Sequence, residues 1–205
     1  MMGAVNTSKP VPPAREARNS VRIIGGTWRG RRVSFPDLPG LRPTPDRVRE
    51  TLFNWLQHDI GGARCLDLFA GSGALGLEAL SRGAKECVFV EQAQAAARAL
   101  QEQLRQFGAA ARGRIVEMGA ARFLRTPGDA FDIVLLDPPF GEGALDRYVP
   151  LIADGGWTRT GSLVYLENER AAGKPPVPLH WEWLKSKSAG EVGYHLARVN
   201  TRTAE

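Results

Sequence analysis

The chain has 205 residues, 43% of them hydrophobic and 24% charged, enough apolar material for the core of one domain and too much for a mostly disordered protein. The formal net charge of +5 points to an acidic partner, nucleic acid before membrane surface, and it is unevenly placed: residues 1–49 hold ten Lys/Arg against three Asp/Glu, or +7, while residues 50–205 hold seventeen against nineteen, or −2. Cys65 and Cys87, the only cysteines, each lie in an apolar stretch, which excludes a disulfide scaffold or a clustered zinc site and fits buried thiols in a reducing compartment.

Residues 1–20 carry Pro10, Pro12 and Pro13 among polar residues and are expected to form a mobile tail. They lack the apolar core of a signal peptide, and no stretch of the chain reaches the roughly 18 apolar residues of a membrane span, so a cytoplasmic protein is expected. Residues 21–40 contain two short apolar segments, Val21–Ile24 and Val33–Phe35, around glycine-rich turns, the pattern of a small β-hairpin. Residues 41–205 form the main domain. Its first element is an amphipathic helix over Pro45–His58, with Thr44 as N-cap, Pro45 at the first helical position and Val48, Leu52, Trp55 and Leu56 at helical spacing.

From Arg64 onward, strands and helices alternate. Strands are expected at Cys65–Phe69, Cys87–Val90, Arg114–Val116, Ile133–Leu136 and Leu163–Leu166, with helices at Ala74–Arg82 and Ala93–Phe107. Trp181–Lys185 and Tyr194–Val199 read as a final antiparallel pair, packed through Trp181, Trp183 and Tyr194. Such alternation implies a doubly wound α/β domain with a parallel sheet covered on both faces.

The segment Gly71-Ser72-Gly73-Ala74-Leu75-Gly76 fits G-x-G-x-x-G between a strand and a helix, a turn that lets a ligand approach the backbone. That motif alone suits any dinucleotide or nucleoside cofactor. Asp67 lies inside the preceding strand, where a carboxylate needs a polar partner, and Glu91 ends the next strand, placed to accept both hydroxyls of a ribose. A nicotinamide cofactor would use the same Glu91.

Asp137-Pro138-Pro139-Phe140 follows the strand Ile133–Leu136, at the end where α/β folds place ligands. Two prolines remove two N–H donors and leave carbonyl acceptors. Asp137 adds a carboxylate and Phe140 an aromatic face, a set that suits a planar base bearing an exocyclic amine. Hydrogen bonds from the amine to these acceptors would free the nitrogen lone pair to attack an electrophilic methyl group, with no metal and no covalent intermediate. The same four residues also suit a simple strand-terminating turn, and they do not distinguish guanine from adenine.

Asp67-Leu68-Phe69-Ala70-Gly71-Ser72-Gly73 followed by Asp137-Pro138-Pro139-Phe140 resembles the class I S-adenosylmethionine-dependent methyltransferases that modify exocyclic amines. Arg22-Ile23-Ile24-Gly25-Gly26-x-Trp28-Arg29-Gly30-Arg31, and the run from Leu41-Arg42-Pro43-Thr44 to Asn54-Trp55-Leu56, are similar to the bacterial small-subunit rRNA methyltransferase D family. That resemblance, over about Val21 to Val199, implies a Rossmann-like, mainly parallel seven-stranded sheet with an N-terminal hairpin extension. It implies methylation of N2 of one guanine (position 966) in 16S rRNA, on an assembled or partly assembled small subunit, by a monomer using S-adenosylmethionine. It further implies that Ala70, Gly71, Ser72 and Gly73 hold the methionine part of the cofactor above Asp67 and that Glu91 binds the ribose. Arg42 and Thr44 would lie over the cofactor, and Asp137, Pro138, Pro139 and Phe140 would hold the flipped base, Asp137 also bordering the cofactor. Where such enzymes often carry Asp or Asn for the adenine, this chain has Gly119 and Ala120, which leaves that contact to backbone or to Glu117.

Arg22, Arg29, Arg31, Arg32, Arg42, Arg47 and Arg49 fall close together around Trp28, and arginine forks with an exposed indole suit RNA, while Trp28 equally suits packing of the hairpin onto the domain. Arg22, Trp28, Arg29, Arg31, Arg32 and Arg47 are therefore the candidate RNA contacts, although 22 of the 27 basic residues are Arg throughout, so the choice of arginine also fits a composition bias. His58, His180 and His195 are scattered without metal-ligand spacing. Other readings of the sequence are amine methylation of another RNA site or of DNA adenine N6, an NAD-dependent oxidoreductase sharing Gly71–Gly76 and Glu91, and an RNA-binding protein without catalysis.

Overall fold

In the computed structural model, which describes residues 18–139, 141 and 143–202, the chain begins with an antiparallel hairpin of β1 (Arg18–Arg22) and β2 (Arg32–Pro36) joined through a 3-10 turn at Gly26–Trp28. Helix α1 (Asp46–Trp55) follows, then β3 (Arg64–Asp67), α2 (Ala74–Ser81), β4 (Glu86–Glu91), α3 (Gln94–Gln106), β5 (Gly113–Glu117), α4 (Ala120–Phe123), β6 (Phe131–Leu136), α5 (Ala144–Asp154), β7 (Thr158–Glu169), β8 (Trp181–Ala189) and β9 (Val192–Val199).

The seven strands β3–β9 form one sheet in the order β5-β4-β3-β6-β7-β9-β8. Pairings from β5 through β7 are parallel, and β9 joins β7 and β8 antiparallel. This is the expected doubly wound α/β sheet, with the hairpin as a separate two-stranded unit. The strand order reverses between β3 and β6: the chain winds outward from β3 through β4 to β5, then returns to β6 and winds the other way. In open α/β sheets the crevice at such a switch point, outside the carboxyl ends of the strands, is where ligands bind.

Both faces are apolar because alternate strand residues point to opposite sides and each side is covered. Cys65, Cys87, Phe89, Ile133, Leu135 and Tyr165 pack against α1, α2, α3 and the hairpin. Leu66, Val88, Val90, Val134, Leu136, Val164 and Leu166 pack against α4, α5 and Trp157. The two thiols are register partners on the first of these faces and are fully buried.

Several boundaries differ from the sequence reading. Strand β1 starts at Arg18, so residues 18–20, expected in the tail, pair with Ser34–Pro36; residues 1–17 lie outside the described residues. Helix α1 spans Asp46–Trp55 rather than Pro45–His58; Pro45 takes the N-cap position, without a side-chain cap, and Gln57–Asp59 form a turn. Helices α4 and α5 carried no clear signal: α4 is one turn, and α5 follows Pro139, Gly141 and Gly143 and holds Pro150 inside it, residues that ordinarily mark breaks. Strand β7 runs to twelve residues because β6 and β9 pair with it along polar ends that a hydrophobic pattern does not mark.

Candidate active site

The carboxyl ends of β3 and β6 lie side by side at the switch point, with Asp67 paired in register with Leu135. After β3 the chain turns through Leu68–Gly73 into α2. The turn is tight: Gly73 N–H donates to Ala70 O at 2.6 Å, and Ala70 N–H donates to Val90 O at 3.0 Å, tying the loop to β4. Gly73 has φ +76°, and a Cβ there would lie 2.4 Å from Leu100 Cδ1, so only glycine fits. Gly71, at φ +51°, has no atom closer than 3.8 Å to where a Cβ would stand, and one of the two nearest is Leu41 Cγ. The loop is thus close-packed on its α3 side and open at Gly71. Ser72 is buried, and its Oγ accepts the Ala74 N–H at 3.3 Å at the start of α2.

Glu91 closes the loop from β4. One carboxylate oxygen accepts the Gly71 N–H at 2.8 Å and the other the Ala93 N–H at 2.6 Å, which fixes the side chain and leaves each oxygen a further lone pair. Asp67 lies beneath, fully enclosed, with Oδ2 accepting the Gly76 N–H at 2.9 Å. Burial first, then the charges of Asp137 and Glu91, push its carboxyl up to about 7 against the opposing pull of the Gly76 hydrogen bond.

On the β6 side, Asp137 is half-buried, Pro138 buried and Pro139 exposed. Phe140, expected as the aromatic plate, lies outside the described residues. Asp137 Oδ2 accepts a hydrogen bond from Thr44 Oγ1 at 2.9 Å, so Thr44, expected as N-cap of α1, directs its hydroxyl to the loop after β6 instead. Burial pushes the Asp137 carboxyl up to about 6, and the Thr44 hydrogen bond opposes that shift. Arg42, two residues ahead of Thr44, is exposed and lines an open cleft of about 770 Å³ with Leu41 and Pro43.

Two acids that the motifs do not mark complete the strand ends. Glu167 on β7, one step beyond the Leu136–Leu166 register pair, is buried and accepts the Tyr165 hydroxyl at 2.6 Å. Burial, followed by the charge of Asp137, pushes its carboxyl up to about 8. Glu117 ends β5 opposite Glu91 and is exposed. Asp67, Glu91, Glu117, Asp137 and Glu167 thus place one acid at the carboxyl end of each parallel strand, a periodic signal available in the sequence. After β5, Gly119 takes the N-cap position of α4, and a Cβ on it would stand 3.5 Å from Oε1 of Gln92, which follows β4 and carries no motif in the sequence. Ala120 beside it is buried.

The basic quarter divides. Arg22, Arg29, Arg31, Arg32, Arg42 and Arg47 are exposed. Arg31 stacks on Phe107 at 4.0 Å and donates to Gln106 O, and Arg32 donates to Ser20 Oγ. Trp28 is a correction: only 7% exposed, its ring meets Phe107 at 4.9 Å and its backbone N–H donates to Ser81 Oγ, so it anchors the hairpin and offers no face to a base. Arg49, which lies in the same basic stretch but not among the candidate contacts, is fully buried against Glu78 and Asp46. Among the described residues no helix is long and apolar enough to cross a membrane, and no three His, Cys, Asp or Glu are grouped to hold a metal ion.

A family model described as "Conserved hypothetical protein 95" matches residues 21–198. The protein named ribosomal RNA small subunit methyltransferase D of Escherichia coli (strain K12) is 47% identical over 184 residues, covering 90% of this chain and 92% of its own. Its namesake in Haemophilus influenzae is 41% identical, covering 88% and 94%. Among solved structures, the Escherichia coli protein yhhF superposes with a TM-score of 0.84 at 44% identity, over 90% of this chain and 100% of its own.

Proposed function

The chain belongs to the family described as conserved hypothetical protein 95, with the small-subunit rRNA methyltransferases D among its relatives, and from that premise we propose that it methylates the exocyclic N2 amine of one guanine, position 966 by the family resemblance, in 16S rRNA. The observation that carries this reading is the juxtaposition at the switch point: the Gly71–Gly73 loop, with Glu91 held to its backbone, beside Asp137 and its two prolines.

The residues fit S-adenosylmethionine. The acids Asp67, Glu91, Asp137 and Glu167 at adjoining strand ends favour a cationic ligand, and two of them are pushed up partly by the charge of Asp137, an effect a bound cation would relieve. The same acids disfavour the pyrophosphate of a nicotinamide dinucleotide. When bound, the cofactor supplies an electrophilic methyl group on a cationic sulfur. Glu91, through its remaining lone pairs, would hold the ribose hydroxyls, the open side of Gly71 would admit the methionine part, and the backbone of Gly119 and Ala120 with Gln92 would hold the adenine. Asp67 acts through the Gly76 N–H to hold the loop, and Ser72 through the start of α2.

Asp137 and the carbonyl of Pro138 are the acceptors for the guanine amine. With Oδ2 engaged by Thr44, Oδ1 accepts an amine hydrogen, raises electron density on N2 and then takes the proton the nitrogen sheds. Pro139 borders the base, and by the family resemblance Phe140 would stack on it. The exposed Arg22, Arg29, Arg31, Arg32 and Arg47 of the hairpin and α1 grip RNA phosphates, while residues 41–202 bind the cofactor and the base. The substrate is the assembled or partly assembled small subunit in the cytoplasm, and the protein acts as a monomer.

Labelled methyl transfer to small subunits lacking the mark, naked 16S rRNA and DNA, run in parallel, tests this. Label in the subunit or its rRNA, lost with Asp137→Ala, is expected. Label in DNA alone overturns the substrate, and calorimetry showing tight NAD binding without response to S-adenosylmethionine overturns the chemistry.

A further inference from the structure

Thr44 stands two residues before α1, ahead of the N-cap Pro45, and its hydroxyl caps nothing in the helix; it donates at 2.9 Å to a carboxylate 93 residues further along the chain. A hydroxyl has one hydrogen to give. Thr44 is only 5% exposed, so that hydrogen does not alternate between Asp137 and solvent. The residue itself is held. Its carbonyl oxygen accepts from Arg49 Nε at 3.1 Å, and Arg49, wholly buried, is fixed by Asp46 at 2.6 Å, Glu78 at 3.4 Å and the Arg22 carbonyl at 2.9 Å. The donor to Asp137 is therefore locked from β1, α1 and α2 together.

Resting on the function proposed above, we propose that Thr44 is a positioning residue of the methyl-transfer centre: its hydroxyl pins one carboxylate oxygen of Asp137, presents the other to the target amine, and is itself aligned by Arg49. The titratable groups around Asp137 are Asp67 at the end of β3 and Tyr165 and Glu167 on β7, all acids, while the nearby cation, Arg49, is paired with Asp46 and Glu78. With acids and burial disfavouring its charge, Asp137 depends on the Thr44 hydrogen bond to remain an ionised acceptor near neutral pH.

The test pairs Thr44→Val, which keeps the shape and removes the donor, with Thr44→Ser, which restores it. Thr44→Val is expected to lower kcat about tenfold, the value of one hydrogen bond to a charged group, with S-adenosylmethionine affinity and the KM for subunits within about twofold. It should also move the acid limb of the kcat–pH profile upward by about one unit. Carboxyl ¹³C resonances of the free protein should show the same upward move of Asp137, independent of turnover, and Thr44→Ser should return all three readouts. Thermal melting of each variant verifies folding. Loss of cofactor affinity in Thr44→Val with an unmoved acid limb makes Thr44 a cofactor contact and overturns the proposal. An active wild type with an unaltered valine variant overturns it alone, whereas a wild type that transfers no methyl group refutes the proposed function and this role with it.

Discussion

Glu78→Gln tests how the basic hairpin is joined to the sheet domain. Glu78 is fully buried on α2 and its carboxylate takes four donors: Ile24 N–H at 2.8 Å and Arg49 Nη1 at 3.4 Å on one oxygen, Gly25 N–H at 2.7 Å and Arg82 Nε at 2.8 Å on the other. Glutamine keeps the volume but turns an NH₂ group towards two of those donors whichever way it faces. One backbone N–H is orphaned at about 1–3 kcal/mol, and buried Arg49 keeps only Asp46 as a charged partner. Breaking a buried ion pair from one side costs about 3–5 kcal/mol, and about 4 kcal/mol is expected here. Urea unfolding at pH 7 reads the loss, and limited trypsin digestion should cut after Arg29, Arg31 or Arg32 before it cuts the sheet domain. Glu102→Gln serves as the comparison, because the Arg105–Glu102 pair is exposed on both sides and should cost no more than about 1 kcal/mol. Equal losses for the two variants, or a hairpin no easier to cleave, would refute the reasoning.

Glu91→Gln should weaken S-adenosylmethionine binding about 10–100-fold by calorimetry, since an amide meets both a backbone N–H and the ribose where a carboxylate stood, while RNA affinity stays unchanged; equal weakening of both would count against the assignment. Glu167 in the fold holds its proton up to about 8, whereas an ordinary glutamate releases it near 4.5. Across that window the folded state binds more protons than the unfolded chain, so the contribution of Glu167 is complete at low pH and is lost as pH rises. Glu167→Gln should therefore be close to neutral at pH 4 and stabilising by about 2–4 kcal/mol at pH 9 in urea unfolding; curves that stay parallel over that range would sink the idea. Trp28→Ala should cost about 3–5 kcal/mol of stability and leave the salt dependence of RNA binding unchanged, whereas Arg22→Gln with Arg29→Gln should reduce the slope of log K against log salt by about 2 with cofactor affinity intact. A salt slope altered by Trp28→Ala in the folded variant would return the indole to the RNA surface.

What the sequence made legible follows from range. The β3–Gly loop–α2 unit is local: glycines fix the turn, the strand ahead of it is apolar, and Asp67, Gly71, Gly73 and Glu91 stand where the motif puts them. Glu167 was open to the same reading, because an acid ends every parallel strand, but a single glutamate after Val164-Tyr165-Leu166 has no motif around it. The Thr44–Asp137 and Glu78–Ile24 bonds join residues 93 and 54 apart and depend on strand order, which local patterns do not give. The roles of Trp28 and Arg49 are set by the same long range. In a basic stretch each looks like an RNA contact, and only the partner across the fold, Ser81 with Phe107 for one and Glu78 for the other, turns it inward.

The burial of Trp28 and Arg49 changes what the charge asymmetry means. Arg49 does not face RNA, yet it is the side chain through which the hairpin, α1 and α2 meet, with its Nη2 on the Arg22 carbonyl and its Nε on Thr44. Helix α2 begins at Gly73 of the cofactor loop and carries Glu78 and Ser81, which bind the hairpin turn, at its other end. Eight helical residues span about 12 Å, so the hairpin and the Gly71–Gly73 loop, proposed above to grip RNA and to hold the cofactor, sit at opposite ends of one helix. Phosphates bound by the exposed arginines would then be held at a fixed distance from Asp137, with no hinge between grip and chemistry. Loosening the arm should accordingly raise the KM for subunits and lower kcat together, where removing surface arginines alone raises KM.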